Sequence, residues 1–454
     1  MKPLFAAIRD HRLGEWDAWI ERAAVWLGAI CVGCAVVLFA KLVEWAGNAF
    51  HAAYMAHGWI ALVLTPAAGM VTVAATRRWF AGAEGSGIPQ TIAALSLPPQ
   101  PGQSSPFVSL RLAFAKVFFG TLVVGSGFST GREGPSVQVG ASIMHTFRHL
   151  LPARHTIRTP DLILAGGAAG IAAAFNTPLA GIVFSIEELS KRFEQRTNGV
   201  LLTAIVLSGL VSISLQGNYL YFGHLTVAPI DMRILLPLAL CGTVCGAAGG
   251  LTSWILLRSV HPWGGPIGRL RQRMPVVFAG LCGLIVALLG LATHGAVHGS
   301  GYEAAHAILS EQGNVPWYYA PAKLLATLAS YFSGIPGGIF APSLAIGASI
   351  GRDLQPLLSQ VATPESIYAL CMAGFLAAVT QAPMTSFIIV MEMIDGHEMV
   401  LSLIAVTLLA SLVSRMLSPG LYHGLAEAML SKYTPPESDD AQARADAARK
   451  AVSS

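Results

Sequence analysis

Charged residues are scarce in this chain, and their scarcity argues against a soluble fold. Only 11% of the 454 residues are Asp, Glu, Lys or Arg, and 54% are hydrophobic, whereas a soluble domain carries roughly 25% charged residues. Crossing a bilayer takes ~20 apolar residues. Apolar stretches on this scale cover residues 23–45, 59–76, 200–215, 234–257 and 398–413. The sequence therefore predicts an all-α polytopic membrane protein rather than a large soluble helical one.

Cysteine is also sparse, and every cysteine lies in an apolar run. The six are Cys31, Cys34, Cys241, Cys245, Cys282 and Cys371. The first two have the spacing of a redox or metal pair, but no further ligand accompanies them, so we expect them to serve packing. No G-x-x-x-x-G-K-[ST] loop is present. We therefore expect no metal, no cofactor, no nucleotide and no enzymatic activity.

The basic residues lie beside the apolar runs rather than in one patch. The net charge of +4 thus reflects membrane topology and predicts no nucleic-acid partner. No cleavable signal peptide is visible, and residues 1–22 predict an amphipathic helix on the membrane surface. Because its Lys and Arg residues precede the first span, we expect a cytoplasmic N-terminus. Residues 433–454 are polar and predict a disordered tail. We expect this tail to be cytoplasmic, so that both termini lie on the cytoplasmic side.

The chain contains an internal duplication. Residues 135–143 read PSVQVGASI and residues 342–350 read PSLAIGASI, an offset of 207. A glutamate also follows a proline by nine positions twice, in Pro178 to Glu187 and in Pro383 to Glu392. The duplication predicts two membrane repeats: 23–217, and 234–432 with a pore-facing C-terminal helix, joined by a connector at 218–233. Each repeat contains short, Gly/Pro-interrupted segments, which are typical of the broken helices at transport sites: 85–97, 133–147, 160–174, 341–357 and 366–378.

Three Gly-rich turns precede short helices. They read Gly85-Ser86-Gly87-Ile88-Pro89, Gly131-Arg132-Glu133-Gly134-Pro135 and Gly337-Gly338-Ile339-Phe340-Ala341-Pro342. Proline in a first helical turn and glycine before it are typical of a helix N-terminus that approaches a ligand closely. Such a terminus binds anions through free N–H groups and the helix dipole. A single turn is equally well explained as a plain loop, but three in a duplicated membrane chain favour an anion site.

Several turns are needed for energetic reasons. One helix terminus stabilises a charge by ~0.3–1 kcal/mol, or up to ~2 kcal/mol when partly buried. Removing an ion from water costs tens of kcal/mol in the Born limit. We therefore expect the three termini to converge and to be assisted by hydroxyl donors.

These motifs carry a family resemblance. GSGIP, GREGPSVQ and GGIFAP, in this order, together with FNTPLAGIVFSIEE, resemble the signature stretches of the CLC family of chloride channels and chloride/proton antiporters. The resemblance runs from about residue 20 to 431. It implies two inverted-topology repeats with about 18 tilted or broken helices per subunit. It also implies a homodimer with one pore per subunit, of bacterial type, in the inner membrane.

The resemblance also implies roles for single residues. Ser86 would donate its hydroxyl to a central chloride, Ile339 and Phe340 their backbone N–H groups, and Tyr422 its phenol. Glu133 would be the external gate and proton acceptor, and Glu188 the internal proton relay. The flanking turn positions would shape the selectivity turns: Gly85, Gly87, Pro89, Gly131, Arg132, Gly134, Pro135, Gly338 and Pro342.

Alternative roles remain open for three glutamates and one lysine. Glu133 could instead form a salt bridge with Arg132, although a carboxylate at a helix N-terminus in a pore favours a functional role. Glu187 could equally be an end-of-helix carboxylate paired with Lys or Arg, and its repeat counterpart Glu392 is expected to be structural. Lys116 could add positive potential to the anion pathway or pair with a buried carboxylate.

The chloride/proton antiporter is the function that the resemblance favours. Glu188 matches a residue that antiporters have and channels generally lack, so the alternative is a passive chloride channel in which Glu188 has no role. Ser86 resembles chloride-selective members rather than nitrate-preferring ones, which tend to have proline there. Gln90 departs from many relatives, which carry an acidic or another polar residue at that position.

Overall fold

The computed structural model describes residues 15–97, 105–190, 198–217, 222–223, 234–310 and 315–432. These residues form eighteen α-helices. The first repeat contains α1 to α8: Trp16–Ala56, Ile60–Trp79, Ile88–Ser96, Leu110–Val124, Glu133–Thr146, Thr159–Phe175, Pro178–Phe184 and Asn198–Gln216. The second contains α9 to α18: Leu235–Leu257, Gly265–Arg273, Pro275–Ala292, Tyr302–Leu309, Tyr319–Phe332, Phe340–Leu358, Pro364–Thr380, Pro383–Ile394, Val400–Arg415 and Leu421–Leu430. The predicted membrane fold is confirmed.

Six of the described helices are long and apolar enough to cross a membrane. Five of them, α1, α2, α8, α9 and α17, overlap the apolar stretches that the sequence predicts as spans, and the sixth is α11. Residues 16–22 are the first turns of α1 rather than a separate element. The predicted boundary between 22 and 23 therefore falls inside a continuous helix. Residues 1–14, most of the 218–233 connector and the 433–454 tail lie outside the described residues.

Three helices of the first repeat, α5, α6 and α8, have counterparts in α14, α15 and α17 of the second. In the first repeat α6 packs between α5 and α8, and in the second α15 packs in the same way between α14 and α17. The helices α6 and α15 each end at a residue with left-handed backbone, Asn176 and Gln381, both with φ of 58°. These two positions are 205 residues apart, the same offset that separates Pro178 from Pro383 and Glu187 from Glu392.

The duplicated glycine of the PSxxxGASI motif lies where two helices cross. A Cβ on Gly140 would lie 2.2 Å from the carbonyl oxygen of Gly166 in α6, and one on Gly347 would lie 2.5 Å from that of Cys371 in α15. Since backbone occupies that space, neither position accommodates a larger residue. The motif thus holds α5 against α6 and α14 against α15, and in this way fixes where α5 and α14 begin.

Candidate functional site

The three Gly-rich turns are joined by backbone hydrogen bonds that cross between the repeats. Gly131 N donates to Gly338 O and Gly338 N to Gly131 O, both at 2.8 Å. Gly85 N donates to Ile335 O, and Gly337 N to Gly85 O, both at 3.0 Å. The Gly-rich turn of the second repeat is therefore hydrogen-bonded to both Gly-rich turns of the first repeat. These bonds hold the three turns together.

Three helix N-termini consequently meet in the interior of the protein. Helices α3, α5 and α14 begin at Ile88, Glu133 and Phe340, each at most 1% exposed. The first N–H groups of a helix have no acceptor within that helix. Together with the helix dipoles they favour negative charge. The predicted convergence is present, so the site has the chemistry of an anion-binding cradle.

The Ser86 turn depends on its two glycines. Gly85 and Gly87 have φ of 67° and 103°, a left-handed backbone that favours glycine. Gln90 braces the turn: its Oε1 accepts a hydrogen bond from Gly87 N at 2.9 Å, and its Nε2 donates to Glu84 O. The unusual residue at position 90 thus supports the turn.

Four buried polar atoms in this region have no hydrogen-bond partner in the described structure. They are Ser86 Oγ, Tyr422 Oη and both carboxylate oxygens of Glu133. All three side chains are at most 1% exposed. A buried polar group without a partner costs about 1–3 kcal/mol, and such groups in a native fold point to a ligand or a transferred proton. Polar atoms from the first repeat and from α18 of the second repeat are therefore unsatisfied in this buried region.

The Glu133 carboxylate lies between two helix N-termini. The N–H groups of Arg132, Glu133 and Ala341 are close enough to stabilise its charge, although none makes a hydrogen bond of normal geometry to either oxygen. The Arg132 guanidinium donates instead to Ala40 O in α1 at 2.8 Å. The guanidinium still attracts the Glu133 carboxylate electrostatically, but no direct ion pair of Glu133 is found among the described residues.

Tyr422 is held by an aromatic cluster. Its ring stacks on that of Phe340 with centroids 6.0 Å apart and planes at 14°. Phe340 in turn contacts Phe175 and Phe184, each with centroids 6.2 Å apart. Tyr422 also interacts electrostatically with both Glu133 and Glu188. The phenol is thus within electrostatic range of both carboxylates that the sequence singles out.

Glu188 lies in a π-helical turn, Ser185–Ser190, that continues α7. Its side chain is buried, and its Oε1 is 3.4 Å from Nδ1 of His423 in α18. Sequence reasoning missed His423. His423 directly follows the predicted chloride ligand Tyr422, which could have drawn attention to it. No sequence pattern, however, predicts its contact with a residue 235 positions earlier.

Glu187 contacts the start of α16 in the second repeat. Its two oxygens accept hydrogen bonds from Met384 N at 3.0 Å and Thr385 N at 2.7 Å, at the start of α16. The counterpart Glu392, in α16, accepts from Leu179 N at 3.3 Å and Ala180 N at 2.9 Å, at the start of α7. Each carboxylate therefore caps a helix of the other repeat, which explains the nine-residue spacing after each proline.

Lys116 is fully buried but contacts no carboxylate among the described residues. Its Nζ donates to Gly85 O at 2.5 Å and to Glu84 O at 3.3 Å, so it holds the Ser86 turn from behind. Lys323, 207 positions later, is equally buried and donates to Val297 O and Gly299 O, both at 2.8 Å. Sequence reasoning missed Lys323, although the repeat offset pointed to it.

Comparison with known proteins decides the family. Residues 68–415 match the family described as Voltage gated chloride channel. The chain belongs to the voltage-gated chloride channel (CLC) family. It is 32% identical to the H(+)/Cl(-) exchange transporter ClcA of Klebsiella pneumoniae, over 97% of this chain and 98% of that one. It is 31% identical to ClcA of Citrobacter koseri, over 87% and 86%.

Solved structures agree with this CLC assignment. A slow cyanobacterial Cl-/H+ antiporter superposes with a TM-score of 0.77 and 25% identity, over 90% of this chain and 98% of that one. A CLC-type fluoride/proton antiporter superposes with a TM-score of 0.74 at 22% identity, which supports the fold alone.

Proposed function

We propose that the protein is a secondary active chloride/proton antiporter. In this proposal chloride binds between the three turns. Ser86 Oγ and Tyr422 Oη donate hydroxyl hydrogen bonds, and Ile339 and Phe340 donate backbone N–H groups. The observation that carries the proposal is the Glu133 carboxylate, which is buried between the N-termini of α5 and α14 with both oxygens unpartnered. The exchange activity in the names of its ClcA relatives supports the same function.

Coupling follows from competition for one site. An ionised Glu133 carries the same charge as chloride and is drawn to the same N–H groups, so the two exclude each other. Protonation removes the charge, which frees the side chain to leave and lets chloride enter. Each proton taken up by Glu133 therefore accompanies chloride movement in the opposite direction.

Protons reach Glu133 from Glu188 in this proposal. Glu188 is 5% exposed and carries a carboxylate, so its role in this proposal is to hold a proton rather than an anion. Because both carboxylates act electrostatically on Tyr422, the proton and anion routes approach each other at this phenol. A passive channel would need no such second carboxylate.

We further propose a homodimer with one pore per subunit, in a bacterial inner membrane with cytoplasmic termini. Large apolar side chains project from α7, α8, α16 and α17, which are neighbours in the fold. They include Leu179, Leu210, Met384, Leu401 and Leu412, which are 51%, 54%, 44%, 74% and 62% exposed. In a homodimer, a second subunit packed on this face would bury these side chains, whereas in a monomer they would contact lipid.

The proposal is tested by glutamine variants of the two glutamates in chloride-loaded liposomes. Glu133→Gln and Glu188→Gln should each abolish chloride-driven proton uptake while chloride still crosses, because glutamine keeps the shape and loses the exchangeable proton. Glu303→Gln, at an exposed first-turn position of α12, is the matched control. Proton uptake that persists in Glu133→Gln would contradict the gate assignment. A wild-type protein that moves chloride without protons would be a channel.

A further inference from the structure

His423 connects the buried Glu188 to the protein surface. Its Nδ1 lies 3.4 Å from Glu188 Oε1, and its side chain is 25% exposed whereas that of Glu188 is 6% exposed. One imidazole thus reaches both the relay carboxylate and water. We propose that His423 is the proton-transfer residue that loads and unloads Glu188. This proposal rests on the antiport function proposed above.

Imidazole suits this task chemically. Histidine ordinarily titrates near pH 6.5, so both of its forms are populated around neutral pH. In the loading step the Nδ1–H bond of the imidazolium breaks as an O–H bond forms on Glu188 Oε1. Neutral imidazole then takes a proton from hydronium or a buffer acid in the adjoining water. Charge and protons balance, and reversal of the two steps unloads Glu188.

The surroundings of His423 contain few competing groups. Tyr422 precedes it on α18, and Glu427 follows one turn later with an exposed side chain. Helix α3, which packs on α18, carries no ionisable side chain. The other two helices that pack there, α9 and α15, carry the ionisable side chains Cys241, Cys245, Glu365, Tyr368 and Cys371, of which Glu365 lies in the first turn of α15. Glu187, beside Glu188, is engaged at the start of α16.

The geometry separates His423 from ordinary surface histidines. His397 also contacts a carboxylate, with Nε2 at 3.3 Å from Asp395 Oδ1, but both of its groups are open to water at 68% and 39% exposure. In that pair water can protonate the carboxylate directly. At Glu188 burial restricts direct access, which makes an intermediate donor useful. His397 is therefore the matched control.

The test measures chloride-driven proton flux in liposomes between pH 5 and pH 8. We expect His423→Ala to lower proton flux about a hundredfold at pH 7, at the low end of general acid–base effects, and to change the pH profile. Added imidazole buffer should restore the flux, because the shortened side chain leaves Glu188 accessible from water. His397→Ala should behave as wild type. In a Glu188→Gln background, His423→Ala should cause no further loss of proton flux.

Three outcomes overturn the proposal. Wild-type flux and pH profile in His423→Ala would show that Glu188 is loaded without it. A loss of equal size at every pH, unmoved by imidazole, would show that His423 only holds α18 in place. If the wild-type protein moves no protons at all, the antiport function itself fails, an outcome that the wild-type measurement alone distinguishes from the other two.

Discussion

The reciprocal carboxylate caps predict a specific loss of stability. Glu187 and Glu392 each accept two backbone hydrogen bonds at the first turn of the partner helix. Replacing either by glutamine removes the charge and one of the two acceptor oxygens. We expect the free energy of unfolding to fall in each case, since these contacts tie α7 of one repeat to α16 of the other.

The magnitude follows from the geometry. A hydrogen bond to a charged group contributes about 1.5–3 kcal/mol, and a carboxylate at a partly buried helix N-terminus adds up to ~2 kcal/mol. Both carboxylates are half-buried, and glutamine retains one acceptor, so we expect a loss of about 2 kcal/mol per variant. Nine residues at a rise of ~1.5 Å separate Pro178, at the start of α7, from Glu187, in the turn that follows it, by roughly 13 Å. At that separation effects add, so the double variant should lose about 4 kcal/mol.

The assay is reversible unfolding in mixed detergent micelles, followed by tryptophan fluorescence. Glu303→Gln is the control, because its exposed carboxylate lies in the first turn of its own helix and should contribute at most about 1 kcal/mol. Equal losses for the two single variants are expected from the repeat symmetry. If both unfold at the same midpoint as the control, the carboxylates do not hold the repeats together and the reasoning fails.

Three further predictions concern the anion cradle. Lys116→Met should weaken chloride binding in calorimetry, because two carbonyls behind the Ser86 turn lose a charged donor, whereas Lys323→Met should lower stability with a smaller effect on chloride. Gly134→Ala should weaken chloride binding at least about tenfold, since its Cβ would lie 2.3 Å from Ser86 Oγ and displace the hydroxyl. Tyr422→Phe should also weaken chloride binding but leave thermal stability unchanged or slightly raised, because it removes a buried hydroxyl without a partner.

Each of these three has its own contradicting result. Equal chloride affinity in the two lysine variants would mean that the Ser86 turn keeps its shape without Lys116. Unchanged chloride affinity in Gly134→Ala would place the ion away from Ser86. A clear loss of stability in Tyr422→Phe would mean that the hydroxyl serves folding rather than the ion. Gly199→Ala, where nothing lies within 4 Å of the added Cβ, is the control for the glycine variant.

The local parts of the site were predictable from sequence because their signals are local. Glycine and proline around residues 85–89, 131–135 and 337–342 mark helix starts, and the 207-residue offset marks the duplication. The start of α1 was placed wrongly because charged residues at 16–22 read as a separate surface helix, although the backbone continues through them. Composition alone does not show where a continuous helix leaves the membrane.

Contacts between segments that are far apart in the chain could not be predicted from the sequence. The spacing from Pro178 to Glu187 is visible in the sequence. Its structural reason is the contact of Glu187 with α16, a helix about 200 residues away that runs in the opposite direction to α7. The same holds for His423, because its contact with Glu188 depends on how α18 packs in the interior. Patterns within one segment report its own conformation, whereas partners are chosen by packing.

The most direct test of the central claim is proton uptake by liposomes that contain the protein and a high internal chloride concentration. As chloride leaves, protons should enter against their own gradient, and an uncoupler should release them. This result follows if chloride and the Glu133 carboxylate exclude each other from one site. Chloride efflux with no uphill proton movement would contradict the account.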